Sequence, residues 1–414
     1  MRYGFVPRLG DPLLFWLVVA LSVFGIGMVY SAGVLDVDYS IVAGLWRAQL
    51  LWFALGMIAI PIAMRVPPTW LQAAALPIYS TAVVLLALTL VIGTGVGTSE
   101  GVPRWIVVGP VRIHTAELAK VPVILMLARV LSEWREPPSH LWQLWKPIAV
   151  VVPPMLLVLG QPDLGTMIVF AVILLATLYW AGTPVRLLFY LVSPALSLVL
   201  AFHVGLWSLW FLALLGILVV TRTRVRDAAV VFSLNAAAGM AALPFWDRLA
   251  DYQKNRLLVF LDPQIDPLGA GYNLIQSRVA VGAGGLTGQG FLAGSQKRLA
   301  FLPEQHTDFI FSVIGEEWGF LGVAAILLAF GLIFWRLLRI AYRVKDPFAS
   351  ILPFGVFAAW MVHVLVNTGM TIGIMPITGI PLPFLSYGGS FLFINLVGMA
   401  LVQRVAAEYG RPPG

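Results

Sequence analysis

Apolar runs follow one another along almost the whole chain and are separated by short polar turns. A helix that crosses the hydrocarbon core of a bilayer needs about 20 mostly apolar residues. The pattern predicts an all-α polytopic membrane protein with about 10–12 transmembrane helices, and twelve can be counted in a single transmembrane domain over residues 1–414. The predicted spans are 13–32, 46–64, 71–93, 113–132, 146–160, 164–182, 185–203, 206–221, 228–245, 309–338, 349–374 and 386–405.

Two of these predictions are open to a second interpretation. The fifth span is short and contains Pro153-Pro154, which predicts a kink or a break. Residues 185–221 could form one long tilted helix, but the parity of the crossings would then be lost.

Residues 246–308 are the one sizeable segment outside the predicted spans. This long loop becomes amphipathic around 272–281, and we expect one or two short helices at the membrane surface.

Composition supports a membrane protein and narrows the chemistry. Hydrophobic residues make up 60% of the chain and charged residues 11%, whereas a soluble domain has about 25% charged residues. The chain has no cysteine, which excludes disulfides, thiolate metal sites and a cysteine nucleophile. The net charge of +7 is better understood through its distribution around the membrane than as a sign of nucleic-acid binding.

Lysine and arginine set the expected orientation. With the N-terminus inside, the loop that carries Arg222, Arg224 and Arg226 is cytoplasmic, as the positive-inside rule requires. Two outer segments run against the rule: residues 94–112 and the long loop 246–308, which both carry basic side chains. Long loops can cross a membrane regardless of charge, so these basic residues either have no special role or serve a function on the outer face.

Glu117 and Lys120 are charged residues inside the fourth predicted span, where charges are costly. Their spacing of three residues places them on one helical face, where they can pair. They could form a structural ion pair between helices, or they could line a cavity that opens to the outside.

Several aspartates stand at outer turns. Asp163 precedes the sixth span and could simply cap it, since a carboxylate accepts bonds from the first N–H groups of a helix. Asp262 precedes Pro263 in the long loop, a combination typical of turns, and Gln253 and Arg256 lie just before it. Asp266-Pro267 repeats the same pattern four residues later and is a natural internal control.

Glu304, His306 and Asp308 close the long loop just before the tenth span. Such a group could bind a divalent cation such as Mg²⁺ or Mn²⁺, or it could cap the helix that follows. The metal assignment therefore stays unknown. The predicted topology nevertheless brings many polar groups to the outer face, where they would suit a lipid-linked anionic substrate: Arg104, Arg112, Glu117, Lys120, Asp163, Asp262, His306, Asp308 and Ser386.

Five motifs resemble the RodA/FtsW/SpoVE family of peptidoglycan polymerases, also called the SEDS family. They occur in the family's order between about residues 100 and 390, which makes the combination specific. Its Gly-Tyr-Asn and Glu-Gln-His-Thr-Asp forms are nearer to the RodA branch than to FtsW. The motifs are Arg104-Trp105 with Ala116-Glu-Leu-Ala-Lys120, Gln161-Pro-Asp-Leu-Gly-Thr166, the segment from Asp262 to Ser277, Phe301-Leu-Pro-Glu-Gln-His-Thr-Asp-Phe-Ile-Phe311, and Pro383-Phe-Leu-Ser-Tyr-Gly-Gly-Ser390.

The resemblance implies a glycosyltransferase of the bacterial inner membrane that polymerises lipid II into glycan strands on the periplasmic side during cell elongation. It also implies a class B penicillin-binding protein and other elongation-complex proteins as partners. By the same resemblance Asp262 is the catalytic carboxylate. The residues expected around it in a substrate cavity are Glu117, Lys120, Arg104, Asp163, Gln253, Arg256, His306, Asp308 and Ser386.

Two departures from the family pattern affect these expectations. The family usually has ten spans, and the surplus falls between about 185 and 245, where one span is expected and three are predicted. The family's sequence Gln-Pro-Ser-Glu reads His114-Thr-Ala-Glu117 here, which keeps the carboxylate but alters its surroundings.

The main rival function is a transporter that moves lipid II across the membrane, since charges inside spans and proline-broken helices also mark transporters. A transporter is expected to place its charges near the midplane, whereas these charges lie towards one face, which favours the enzyme. A purely structural scaffold for a partner would leave Glu117 and Lys120 without an explanation.

Overall fold

Sixteen α-helices account for most of the part of the chain that the structure describes. The computed structural model describes residues 9–36, 42, 44–95, 102–109, 111–249, 251–267 and 269–409. Its helices are α1 (Pro12–Ala32), α2 (Leu45–Ala63), α3 (Pro68–Ile92), α4 (Thr115–Ser132), α5 (Trp145–Gly160), α6 (Leu164–Trp180), α7 (Val185–Leu200), α8 (Val204–Val220), α9 (Val225–Met240), α10 (Ala242–Arg248), α11 (Asp251–Leu261), α12 (Ala270–Ala283), α13 (Ser295–Arg298), α14 (Ile310–Arg343), α15 (Pro347–Ile372) and α16 (Gly389–Tyr409).

A helix occupies each of the twelve predicted spans, which confirms a polytopic helical membrane protein. Among the described helices, seven are long and apolar enough to cross a membrane: α1, α2, α3, α5 with the 3-10 turn before it, α14, α15 and α16. Helices α6, α7 and α8 are apolar but shorter, and α9 and α10 form a pair bent by 43°. The number of twelve crossings stays a prediction.

A short β-hairpin lies where the sequence predicted only a loop and the start of the fourth span. Strand β1 (Trp105–Val108) pairs antiparallel with β2 (Val111–His114), and Trp105 lies opposite His114. Gly109 has a φ of 59° at the turn, which glycine adopts at little cost. Because β2 runs directly into α4, the hairpin fixes the position of the first helical turn, including Glu117.

The long loop 246–308 is largely helical, because it contains α11, α12 and α13 and the last three residues of α10. Its amphipathic part forms α12, which packs on α14 and α15. The Ser277 hydroxyl there donates to the Thr371 carbonyl oxygen at 2.7 Å and lies 2.7 Å from the Ser312 hydroxyl. The side chain of Lys297 is buried, forms a salt bridge with Glu317 and donates to the Ser31 carbonyl oxygen at 3.0 Å. These contacts attach the loop firmly to the helices.

The glycine-rich run 282–290 packs against a kink in α14. Gly319 interrupts that helix with a φ of 62° and a ψ of −163°. A Cβ atom at Gly319 would lie 2.3 Å from the backbone nitrogen of Gly288, so only glycine allows this approach. Two amides of the run, at Gln289 and Gly290, donate to carbonyl oxygens of α14 at 3.0 Å. The run therefore helps to hold the outer loop against α14.

Helices α7, α8 and α9 lie where the family resemblance implies one span and the sequence predicts three, and they share a buried polar network. Asn235 of α9 donates through Nδ2 to the Ser193 hydroxyl at 2.8 Å. The Ser197 hydroxyl donates to the Asn235 carbonyl oxygen at 2.8 Å. From α8, the indole of Trp207 donates to Ser197 at 2.9 Å and that of Trp210 to Asn235 at 3.1 Å. Satisfied polar groups of this kind fix how apolar helices pack together.

Candidate active site

The turn before α6 presents Asp163 to a cavity. Its Oδ1 accepts from the backbone nitrogen of Thr166 at 3.0 Å and its Oδ2 from the Thr166 hydroxyl at 2.8 Å, so Asp163 caps the helix. Arg104 braces the same turn, because its guanidinium donates to the carbonyl oxygens of Gln161, at 3.0 Å, and of Pro162. Capping and cavity lining therefore coexist at Asp163.

The β-hairpin supplies the neighbouring wall. The Nε2 atom of His114 lies 3.8 Å from Oδ2 of Asp163, and the imidazole packs edge-on against Trp105 with a centroid distance of 4.8 Å. The Nδ1 atom of His114 is buried without a hydrogen-bond partner among the described residues. This departure from the family sequence thus places a ring beside the cavity carboxylates.

Glu117 and Lys120 are both 5% exposed and are paired at 2.6 Å between Oε2 and Nζ. A third residue, His363 of α15, joins them, because its Nε2 lies 2.6 Å from the same Nζ. The His363 Nδ1 lies 2.8 Å from the carbonyl oxygen of Pro381. A carbonyl can only accept, so Nδ1 carries the proton and Nε2 accepts from Lys120. Lys120 is thus held between a carboxylate and an imidazole.

Sequence reasoning missed His363, although a signal was available. It is an ionisable side chain inside a predicted span, and such residues usually have a specific role. Glu117 lines the main cavity, whereas Lys120 and His363 lie beside a separate narrow space of about 10 Å³. The pair is therefore at the boundary between the cavity and the protein interior.

The end of the long loop supplies a third wall. Burial, together with the Glu304 carboxylate, raises the pKa of the Asp308 carboxyl to about 6, against the opposite effect of the guanidinium groups of Arg256 and Arg104. Asn367 of α15 fixes this segment by donating to the Asp308 carbonyl oxygen at 2.9 Å. Burial also lowers the pKa of His306, against the opposing Glu304 carboxylate 3.8 Å away.

The walls enclose a cavity of about 170 Å³. Its charged lining combines four carboxylates, two guanidinium groups and one imidazole. The lining residues are Arg104, Trp105, His114, Glu117, Asp163, Thr166, Arg256, Glu304, Thr307, Asp308, Thr378, Gly379, Pro381, Tyr387, Gly388, Ser390 and Phe391. Of the expected substrate-cavity residues, the structure therefore brings together Arg104, Glu117, Asp163, Arg256 and Asp308.

Four expected residues lie outside this lining. Lys120 is behind Glu117, and Gln253 lies on α11 one turn before Arg256. His306 packs beside Tyr387 with a centroid distance of 5.7 Å. Ser386 is 1% exposed, and its hydroxyl donates to the Thr307 carbonyl oxygen at 2.6 Å and accepts from the Leu382 amide at 2.8 Å. Ser386 thus holds two loops of the cavity together.

Asp262 is exposed and also lies outside the lining. It follows α11, six residues after Arg256, which corresponds to about 9 Å along a helix. Its Oδ1 accepts from the Gln264 amide at 3.0 Å and caps the 3-10 helix Pro263–Ile265. The Oδ1 of Asp266 accepts from the Gly269 amide at 3.0 Å in a similar way. Each aspartate therefore accepts from a backbone amide through Oδ1, and the catalytic role of Asp262 stays a prediction.

The described side chains do not build a metal site by themselves. Among these residues, no group of three or more histidine, aspartate or glutamate side chains could hold a metal ion. Glu304 and His306 approach within 3.8 Å, but the nearby Asp308 faces the guanidinium groups that would compete with a cation. We therefore derive no chemical step through a metal, and the Mg²⁺ or Mn²⁺ assignment stays a prediction.

Comparison with known proteins agrees with the motif resemblance. Residues 12–208 and 194–410 match the family model FTSW_RODA_SPOVE, described as "Cell cycle protein". The chain is 34% identical to the peptidoglycan glycosyltransferase RodA of Treponema pallidum, over 96% of this chain and 98% of that protein. It is also 34% identical to the peptidoglycan glycosyltransferase MrdB of Escherichia coli K12, over 95% of this chain and 93% of the relative.

A solved structure extends the agreement to the fold. It is described as "Structural coordination of polymerization and crosslinking by a peptidoglycan synthase complex", and one of its chains is similar with a TM-score of 0.71 and 29% identity. The similarity covers 97% of this chain and 99% of that chain. The sequence match and the shared helical fold give one conclusion: this chain belongs to the FtsW/RodA/SpoVE family.

Proposed function

We propose that this chain is a peptidoglycan glycosyltransferase of the bacterial inner membrane, which polymerises lipid II into glycan strands during cell elongation. The observation that carries the proposal is the cavity in which Arg104 and Arg256 lie among Glu117, Asp163 and Asp308. One guanidinium group can donate hydrogen bonds to two phosphate oxygens at once, and carboxylates accept hydrogen bonds from sugar hydroxyls. The family relatives named peptidoglycan glycosyltransferase support the same activity.

In the proposed reaction Asp262 is the general base. It takes the proton of the acceptor sugar hydroxyl while that oxygen forms a bond to the anomeric carbon of the donor sugar. The bond between this carbon and the lipid diphosphate breaks, and the diphosphate leaves with the electron pair. Arg256 and Arg104 offset the negative charge that develops on the leaving group. Lys120 is a third cation near the cavity, but its Nζ is held by Glu117 and His363. We assign Lys120 to positioning Glu117.

The geometry also favours an enzyme over a lipid II transporter. The lining residues from α4 and α6 belong to the first turns of these helices or to the segments just before them. The rest of the described lining comes from α11, the end of the long loop, the segment before α16 and the first turn of α16. A transport path would need to continue to the other ends of these helices. We place the cavity on the periplasmic side, as the distribution of basic residues predicts.

A reconstitution separates the two functions. Purified protein, with and without a class B penicillin-binding protein, is given lipid II in detergent and the glycan polymer is measured on a gel. In parallel, the protein is placed in liposomes that contain fluorescent lipid II, and movement between leaflets is followed by an impermeant quencher. The proposal predicts polymer in the first assay and no leaflet exchange in the second. Exchange without polymer would establish the transporter instead.

A further inference from the structure

A second cavity, of about 230 Å³, lies at the opposite end of the helices. We call it the arginine cavity, because Arg186, Arg222 and Arg224 line it together with Ser139, His140, Leu187, Tyr190, Thr223 and Asp227. Helix α6 runs from Asp163 at the candidate active site towards this cavity, and its 17 residues span about 25 Å. The arginine cavity is therefore separate from the site already described.

Positive charge is concentrated here from three parts of the chain. Arg186 comes from the first turn of α7, Arg222 from the turn after α8, and Arg224 from the residue before α9. Among the described residues, no salt bridge joins these arginines to a carboxylate. The one carboxylate in the lining, Asp227, lies 3.7 Å from His140 on the facing wall. The cavity lining therefore contains three guanidinium groups and one carboxylate, and that carboxylate already lies next to His140.

The helix ends add to this positive potential. Helices α7 and α9 both begin at the cavity, and neither N-terminus is capped by a side chain. The first N–H groups of a helix and its dipole both favour an anion. Two hydroxyl groups are also fixed in place, because the Tyr190 hydroxyl lies 2.6 Å from that of Thr223 and 2.7 Å from that of Thr221.

Arg222 carries the strongest sign of a function. It adopts a φ of 48°, a left-handed conformation that costs a non-glycine residue about 1–2 kcal/mol. The turn between α6 and α7 has the same hydrogen bonds and places Gly182 at the corresponding position, with a φ of 89°. Glycine is thus suited to this turn, and the chain instead keeps an arginine at a strained position beside the cavity.

Exposed aromatic side chains indicate the depth of the cavity. Trp142 is 80% exposed, Trp145 is 52% exposed and Tyr179 is 57% exposed, and all three lie within seven residues of lining residues along the chain. Tryptophan and tyrosine prefer the headgroup level of a bilayer. A basic cavity between helices at that level suits an anionic lipid headgroup.

We propose that the arginine cavity binds a phosphate group, and that its source is the headgroup of an anionic phospholipid. The guanidinium groups would hold the phosphate oxygens, the N-termini of α7 and α9 would add to the attraction, and the acyl chains would lie along the exposed apolar surface of α7 and α9. The site is formed mainly by the first turns of α7 and α9 and by the turn between α8 and α9. It is independent of the proposed catalytic activity.

The test uses the full-length protein in a neutral detergent, titrated separately with phosphatidylglycerol, phosphatidylcholine and inorganic phosphate. Native mass spectrometry counts the bound lipid, and the unfolding temperature reports stabilisation. Arg222→Gly and Arg224→Gln are compared with Arg226→Gln, an exposed arginine two residues further on that does not line the cavity. Arg222→Gly also relieves the left-handed strain, so it should fold at least as well as the wild type.

We expect phosphatidylglycerol to bind in preference to phosphatidylcholine, and Arg222→Gly and Arg224→Gln each to weaken that binding about tenfold or more, as loss of a charged hydrogen bond does. Arg226→Gln should bind like the wild type. Equal binding by all four proteins, or an equal loss in all three variants, would overturn the site. Binding of inorganic phosphate that depends on Arg222, without any preference for phosphatidylglycerol, would overturn the lipid as its source.

Discussion

Lys120 of α4 donates to His363 of α15 over 2.6 Å, which couples the charged pair of the candidate active site to a second helix. The His363 ring also stacks on Phe391 of α16, with a centroid distance of 5.0 Å. One buried histidine therefore joins three helices around Glu117. This arrangement makes Glu117 a fixed element of the cavity wall.

Replacement of His363 tests that role. His363→Leu removes the acceptor for Lys120 and the donor to Pro381, and we expect a loss of about 1–3 kcal/mol in the free energy of unfolding and a lower polymerisation rate. Thr368→Val is the control, because the Thr368 hydroxyl bonds within its own helix and to no other element among the described residues. Thermal unfolding and glycan synthesis are measured for both variants. Wild-type values in both assays for His363→Leu would show that the histidine has no such role.

Glu117 and Lys120 offer a way to separate stability from activity. Removing one partner leaves a buried charge unpaired, so Glu117→Ala and Lys120→Ala should each cost about 3–5 kcal/mol. A double replacement, Glu117→Leu with Lys120→Met, removes both charges and should recover most of that stability. Polymerisation should stay low in the double variant if Glu117 serves the substrate. Full activity in a stable double variant would mean that the pair is only structural.

The raised pKa of the Asp308 carboxyl should make the stability of the protein depend on pH. Its pKa of about 6 in the folded chain lies above the ordinary value of 3.8, so the folded chain binds a proton more tightly than the unfolded chain. This contribution to stability is present in full below about pH 4 and is lost as the pH rises through about 6. Asp308→Asn has no carboxyl to ionise and avoids this loss.

The measurement is the unfolding temperature of the wild type and Asp308→Asn at pH 5 and pH 8. Relative to the wild type, the variant should gain stability between the two pH values, by about 1.4 kcal/mol. Glu133→Gln, which removes an exposed carboxylate away from the cavity, corrects for general effects of charge. An identical difference at both pH values would contradict the raised pKa of Asp308.

The helical architecture could be predicted because the bilayer itself imposes a length on apolar segments. This is why each predicted span coincides with a helix, including α7, α8 and α9. The β-hairpin was missed, although Val107, Val108 and Val111 flank a Gly-Pro sequence, which is typical of turns, and valine favours strands. The prediction treated residues 94–112 as a loop because a neighbouring apolar run dominated the pattern. Two strands of four residues each give only a weak sequence pattern next to the long apolar run of a membrane span.

The candidate site was predictable in part. Topology placed Arg104, Glu117, Asp163, Arg256 and Asp308 at one end of the helices, and the structure brings them into one cavity. The sequence could not show that the hydroxyl of Ser386 is occupied by backbone groups of two loops, because those contacts join distant parts of the chain. For the same reason it could not show which side chain Lys120 would meet on α15.

The central claim is that Asp262 acts as the catalytic base, and Asp266 provides its control. Both residues cap a turn through Oδ1, and asparagine keeps that oxygen, so a purely structural role predicts a mild effect in both cases. Asparagine cannot take up a proton at neutral pH, and a general base contributes about 10²–10⁴-fold to a rate. The local structure is therefore preserved in both variants while only one loses the proposed base.

The most direct measurement is the rate at which Asp262→Asn and Asp266→Asn form glycan polymer from lipid II. Both variants are compared at equal amounts of folded protein bound to the class B penicillin-binding protein. If Asp262 is the base, Asp262→Asn loses at least about a hundredfold in rate, while Asp266→Asn stays near the wild type. A wild-type rate for Asp262→Asn, or an equal loss in both variants, would show that Asp262 is not the catalytic base.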